Sequence, residues 1–345
     1  MNPRLKQALQ LIVFFGLGLG LMYWQFSNFN EAQKTEFFRA LREANYGWFT
    51  LAIFVGMLAH LSRAIRWQQL LAPLGLKAGL GSRFYAVMIG YLANYGIPRS
   101  GEVIRCGVLK TSDEIPFGEA FGTVVVERII DMLCLLLVFV IVIIAEFSQL
   151  ESLWSERIWN PACGKFAKLG ENQTLMIVLI AGLIFMIAAF WFLRKKIRSM
   201  ISGRLGKFLG GFKNGIMAVR RVPKPGWFIF HSLFIWTGYL SSMYICFFCF
   251  DVTSGLSVNT ALILLLFGTF GVAFTPGGIG AYQVLVTGVL AYLLINTYGF
   301  HGEQKDVEPL VAPFAWLSWF AQVATVVLFT GVASFSRRFL NKLSK

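Results

Sequence analysis

Negative charge is scarce in this chain. Only 17 of its 345 residues are Asp or Glu, against 31 Lys or Arg, and charged residues of both signs make up 14%. A soluble domain averages about 25% charged and about 45–50% apolar residues. Here the apolar share is 57% and the mean hydropathy is +0.65. That much apolar surface excludes a water-soluble enzyme and a disordered chain, because it needs lipid as its solvent. Histidine is nearly missing. His60, His231 and His301 lie far apart and match no metal spacing, so no metal site is expected. The five cysteines are odd in number, and Cys134, Cys246 and Cys249 lie inside apolar runs. Cys246 and Cys249 form a C-x-x-C without a second ligand pair, which favours packing over redox or zinc chemistry. Nothing resembles a Walker loop, which argues against direct ATP coupling, and no cofactor is expected.

What the chain has in quantity is long apolar runs. A spanning helix needs about 20 mostly apolar residues. Six stretches qualify, roughly 8–26, 47–71, 120–146, 173–193, 226–250 and 310–335. The first lacks a small-residue cleavage site and ends in Tyr23-Trp24-Gln25-Phe26, an interfacial aromatic anchor, so it is read as a retained span. Its Gly16-x-x-x-Gly20 offers a close-packing face. Two further apolar segments, 82–97 and 258–275, are too short. The first reaches about 22–24 Å, short of the roughly 30 Å hydrocarbon core. Each ends in a helix-breaking cluster, Pro98-Arg99-Ser100-Gly101-Glu102 and Thr275-Pro276-Gly277-Gly278-Ile279-Gly280. Irregular backbone at membrane depth survives only when buried in protein or lining a cavity.

The net charge of +14 is a matter of topology, not of nucleic-acid binding. Residues 194–225 carry ten Lys/Arg and no acid. Residues 61–83 carry Arg63, Arg66, Lys77 and Arg83, and the tail carries Arg337, Arg338, Lys342 and Lys345. The positive-inside rule makes these segments and both termini cytoplasmic, with 147–172 and 299–309 outside. All loops then agree if 82–119 enters and leaves from the cytoplasm and 258–298 enters and leaves from outside. The expected fold is an all-α integral membrane protein, a single domain over 1–345. About six full spans accompany two oppositely oriented re-entrant hairpins, as in an inverted repeat.

Four constellations could carry chemistry. In Asn94-Tyr-Gly-Ile-Pro-Arg-Ser-Gly-Glu-Val-Ile-Arg105, Ser100 is expected to cap a short helix over about 101–110. The helix N-terminus at Gly101, with Arg99 and Arg105, would suit a phosphate; the plainer reading is arginines snorkelling to lipid heads. Glu127 and Asp131 share a helix face at i,i+4 with Arg128 beside them, facing a cavity or one another. Arg63 and Arg66 form a basic cluster, as readily a cytoplasmic anchor as a site. Pro276, Gly277, Gly278, Gly280 and Gln283 mark a tip where backbone can approach a ligand closely.

Taken in order, Arg63-x-x-Arg66-Trp67-x-x-Leu70-Leu71, Pro98-Arg99-x-Gly101-Glu102-x-x-Arg105, Glu127-Arg128-x-x-Asp131 and Pro276-Gly277-Gly278-x-Gly280 resemble the flippase-like membrane domain of lysylphosphatidylglycerol synthases and its free-standing prokaryotic relatives. The resemblance covers about 8–335. It implies a prokaryotic cell-membrane protein that moves lipid between leaflets without the soluble aminoacyltransferase domain of the two-part members. Gln283 stands where relatives often have a glutamate, and 310–335 lacks an arginine that many carry. Both departures put the family's best-known cationic lipid in question as the substrate. The expected activity is translocation of a phosphate-bearing phospholipid or isoprenoid lipid. Arg99, Ser100, Gly101, Arg105 and Arg128 would hold the phosphate. Passage would be facilitated, or coupled to an ion gradient through Glu102, Glu127 or Asp131. The alternatives are a membrane-embedded transferase acting on a lipid-linked substrate and a non-transporting partner of a lipid-modifying enzyme. Expected partners are the lipid itself and a second copy or neighbouring enzyme, not nucleic acid.

Overall fold

The computed structural model describes residues 3–97, 99–145, 214 and 217–343. The expected external loop 147–172, the span 173–193 and the basic stretch 194–213 lie outside the described residues. All regular structure among the described residues is helical. The elements are α1 (Pro3–Ser27), α2 (Glu31–Glu43), α3 (Tyr46–Leu71), α4 (Leu80–Gly96), α5 (Ser100–Ser112) and α6 (Phe117–Ala145), followed by α7 (Pro225–Phe247), α8 (Val258–Phe274), α9 (Ala281–Asn296) and α10 (Gln304–Leu343). Helices Tyr46–Leu74 and Gln304–Ser336 are each long and apolar enough to cross a membrane. Much of the apolar surface faces outward rather than inward. On α6, Met132 is 70% and Ile144 77% exposed, and Trp227, Ile229, Phe230 and Leu233 do the same on α7. In water such faces would aggregate; in a bilayer they meet lipid.

Local chemistry sets the breaks. Asn30 caps α2 in a reciprocal capping box with Gln33. Asn45 caps α3 by accepting from the Gly47 N–H. α4 stops at Gly96 because Ile97, which precedes Pro98, is held extended at φ −121°, ψ 117°. α8 ends where Thr275 turns extended ahead of Pro276, and Gly277, Gly278 and Gly280 then take positive φ.

α3 and α7 pack antiparallel. Ser242 Oγ donates to the Ala52 carbonyl at one level, and Ser62 meets His231 at 2.7 Å at another. Gly238 lies against Ala59 between them, where no larger residue fits. α4 folds back on α5 through Gly90 and Gly101, whose backbones touch. α8 folds back on α9 with Gly268 and Gly271 against Tyr282. The turn joining α8 and α9 meets the middle of two long helices. Trp319 Nε1 of α10 donates to the Gly277 carbonyl at 2.8 Å, and Gly18 of α1 packs against Ile279 and Gly280. Gly18 stands about 14 Å from the Ser27 end of its helix at 1.5 Å per residue. The glycine contact of α1 therefore runs through Gly18. Gly16 and Gly20, the expected packing pair, have nothing nearby.

Candidate functional site: a buried arginine–carboxylate cluster

The four sequence constellations collapse into two neighbouring places. The first is an ion cluster where α3, α5, α6 and α7 meet. Asp131 of α6 accepts from Arg63 at 2.6 Å and from Arg66 at 2.9 Å, both on α3. Glu127, one turn earlier, accepts from Arg105 of α5 at 2.5 Å and lies 3.8 Å from Arg66. Arg63, Arg66, Arg105 and Glu127 are at most 2% exposed. The aromatic residues of the motif complete the cage. The Arg105 guanidinium stacks 3.9 Å from the Trp67 ring centre, and Trp67 Nε1 donates to Thr123 Oγ1. Arg66 also donates to Ser232 at 3.0 Å, and Arg63 to Tyr239 at 3.3 Å. Arg63 and Arg66 are thus core ion-pair partners rather than headgroup anchors.

Arg128 occupies the open side of the cluster. It bonds Glu102 on the first turn of α5 at 2.6 Å and lies 3.6 Å from Asp131. Its side chain is 37% exposed and that of Glu102 21%. Arg105, expected beside Arg99 as a phosphate holder, is instead enclosed and committed to Glu127. The α5 helix turns Arg105 inward because positions 101, 105 and 109 form its buried stripe against α4 and α6.

The second place is the pair of tips. The Tyr95 ring at the end of α4 lies directly over Gly277, leaving no room for a β-carbon there. Tyr95 and Trp319 meet edge-on at 6.4 Å. Pro276, Gly278 and Gln283 are buried beside them, and Gln283 Oε1 accepts from the Gly280 N–H at 2.8 Å. The amide nitrogen of Gln283 has no partner.

The start of α5 differs from expectation. Ser100 is not the cap. Its hydroxyl donates back to the Ala93 and Ile97 carbonyls, while Gly101 N–H goes to Asn94 Oδ1 at 2.8 Å. The helix end is therefore partly satisfied from within rather than a bare row of donors, and Arg99 and Arg105 do not converge. Arg99 precedes the helix in the left-handed region at φ 62°, ψ 9°. For an L-residue this costs about 1–2 kcal/mol, and glycine escapes it. Arg99→Gly is expected to stabilise the protein by about 0.5–1 kcal/mol, since glycine's own entropy offsets part of the gain. A raised melting midpoint of the detergent-solubilised protein would show it; a lowered one would deny the strain. Sequence reasoning also passed over Trp67, Tyr239 and Ser232 as cluster partners. Of these, only Trp67 stood inside a motif.

Residues 7–299 match the family model described as the lysylphosphatidylglycerol synthase TM region. The chain belongs to this family. Among curated proteins, this lysylphosphatidylglycerol synthase TM-region chain is 26% identical over 283 residues to the UPF0104 membrane protein MJ1595 of Methanocaldococcus jannaschii, covering 75% of this chain and 78% of that one. It is 28% identical over 100 residues to the glycosyltransferase AglD of Haloferax volcanii, covering 29% of this chain and 16% of that protein. No solved structure matches. The family and the outward apolar faces together make it a multi-pass helical membrane protein.

Proposed function

We propose that this protein carries a phosphate-bearing lipid between membrane leaflets. The observation that supports this most is the charge balance of the cluster. Four guanidinium groups, Arg63, Arg66, Arg105 and Arg128, meet three carboxylates, Glu102, Glu127 and Asp131. One positive charge is left over among apolar, lipid-facing helices, and arginine does not deprotonate to relieve it. An anion is the natural complement, and the planar guanidinium fork suits a phosphate. The tips supply a path. Two helix pairs, α4–α5 and α8–α9, are read as re-entrant hairpins from opposite faces that meet at Tyr95 and Gly277, beside the mid-helix residues Gly18 and Trp319. Broken helices at that depth let polar backbone line a passage for a headgroup.

Vesicles reconstituted with the purified protein test the reading. Fluorescently tailed phosphatidylglycerol should equilibrate between leaflets much faster than in protein-free vesicles, while an uncharged diacylglycerol should gain nothing from the protein. Equal rates with and without protein, for phosphoglycerolipids and isoprenoid phosphates alike, would sink it. The match to a glycosyltransferase favours a second reading, a transferase acting on a lipid-linked substrate. Mass spectrometry of the same vesicles separates the two, because a transferase changes headgroups and a carrier does not.

The positive-inside rule favours both termini in the cytoplasm of a prokaryotic cell, with 299–309 outside. A single cysteine introduced at Lys305 should react with an impermeant thiol reagent on intact cells. One introduced at Lys77 should react only after lysis. The opposite pattern would invert the topology.

A further inference from the structure

The carboxylate of Glu102 bonds the most exposed guanidinium of the cluster, that of Arg128, at 2.6 Å. Five of the seven charges in the cluster are closed off from the surroundings, with Arg63, Arg66, Arg105 and Glu127 fully enclosed and Asp131 nearly so. Only the Arg128–Glu102 pair has access from outside. The pair is also incomplete. Glu102 gives one oxygen to Arg128 at 2.6 Å, while its other oxygen, Oε2, is buried without a hydrogen-bond partner. An ionised carboxylate ordinarily accepts several bonds. The two preceding N–H groups are committed elsewhere, Gly101 to Asn94 Oδ1 and Ser100 to the Ile97 carbonyl. Glu102 is therefore held at this spot by Arg128 and the first turn of α5 more than by a complete shell of its own.

We infer that Glu102 is an internal placeholder for the lipid phosphate: it neutralises Arg128 when the site is empty and yields Arg128 to a phosphate diester or monoester when lipid enters. The inference rests on the lipid-carrier reading and adds the residue that sets affinity. Exchanging one anion for another keeps the arginine paired throughout, so no step leaves a bare guanidinium in a low-dielectric site. Such self-occupancy lowers apparent affinity by the fraction of time Arg128 is free, and helps a carrier release its cargo.

The test is binding to the purified full chain in detergent, with dihexanoyl phosphatidylglycerol, dihexanoylglycerol and inorganic phosphate as probes. Glu102→Gln should bind the phospholipid about tenfold more tightly, as expected when a free fraction of about one tenth becomes complete. Glu102→Asp, which shortens the reach, should gain less. Adding Arg128→Gln to Glu102→Gln should erase the gain. Dihexanoylglycerol should show none, and inorganic phosphate a smaller one than the lipid. Unchanged phospholipid affinity in both Glu102 variants would overturn the placeholder, even if wild-type vesicles still translocate lipid. A gain equal for dihexanoylglycerol, or confined to inorganic phosphate, would overturn it too. Should Glu102→Gln fail to accumulate, Glu102→Asp decides alone. Absence of leaflet exchange in wild type, with the Glu102 effect intact, would remove the carrier reading and leave an anion-binding site.

Discussion

Asp131→Ala is expected to leave almost no folded protein in the membrane. Its carboxylate is bonded to both Arg63 and Arg66, which have at most 2% of their side chains exposed. Removing one partner of a buried ion pair costs about 3–5 kcal/mol, because the survivor stays charged without compensation. Here Arg63 loses its carboxylate outright, and Arg66 keeps only Glu127, 3.8 Å away and already bonded to Arg105. Tyr239 and Ser232 offer them only neutral acceptors. Membrane yield and the melting midpoint of whatever can be solubilised measure the effect. The informative companion is the charge-free triple Arg63→Met, Arg66→Met, Asp131→Leu. Apolar replacement of a whole buried ion group is often neutral or stabilising, so this variant should accumulate near wild-type levels. It removes two positive charges and one negative, which cancels the cluster's surplus charge. Transport of the phosphate-bearing lipid should therefore be lost from a well-folded protein. Wild-type transport by the triple variant would show that the surplus charge has no part in function.

Gly277→Val is the second large effect expected. Gly277 sits at φ +60° directly beneath the Tyr95 ring, and its carbonyl accepts the Trp319 indole N–H. A β-branched residue is strained in that backbone region and its side chain would occupy the ring's place. The two helix pairs must then separate at their tips. The turn between α8 and α9 is also wedged from the other side by Gly18, so it has no free direction in which to retreat. Leaflet exchange should fall to the protein-free rate. Gly16→Val, on the face of α1 with nothing nearby, should remain close to wild type in both expression and exchange. Equal activity of the two variants would mean that the tip contact is not part of the passage.

Much of the framework was readable from composition and from where the apolar runs break. The runs at 47–71 and 226–250 match α3 (Tyr46–Leu71) and α7 (Pro225–Phe247) closely, and the short run 258–275 matches α8 (Val258–Phe274). The final run, 310–335, understated α10 by several residues at each end, since Gln304 to Pro309 and the tail beyond Phe335 are helical despite their polar residues. The breaks fell where proline and glycine clusters put them. The family motifs contained nearly every member of the ion cluster, yet the pairings within it were not legible. Glu127, Arg128 and Asp131 looked like a self-contained set on one helix. In fact the acids of α6 are met mainly by arginines from α3 and α5.

Sequence alone determined that this chain is a helical membrane protein and where its helices break. These follow from local properties: transfer free energy, the missing N–H of proline and the positive φ open to glycine. Only the tertiary structure decided that Arg105 is enclosed and Arg128 open, that Ser100 turns back to α4, and that Gly18 rather than Gly16 touches the α8–α9 turn. A soluble helix announces its inner face by an apolar stripe. In helices such as α3 and α6, lipid-facing and protein-facing positions are both apolar, so the pattern no longer encodes rotation about the axis. Rotation is fixed instead by close contacts of small residues and by pairing of buried charges between helices, as between Arg66 and Asp131, 65 residues apart in the chain.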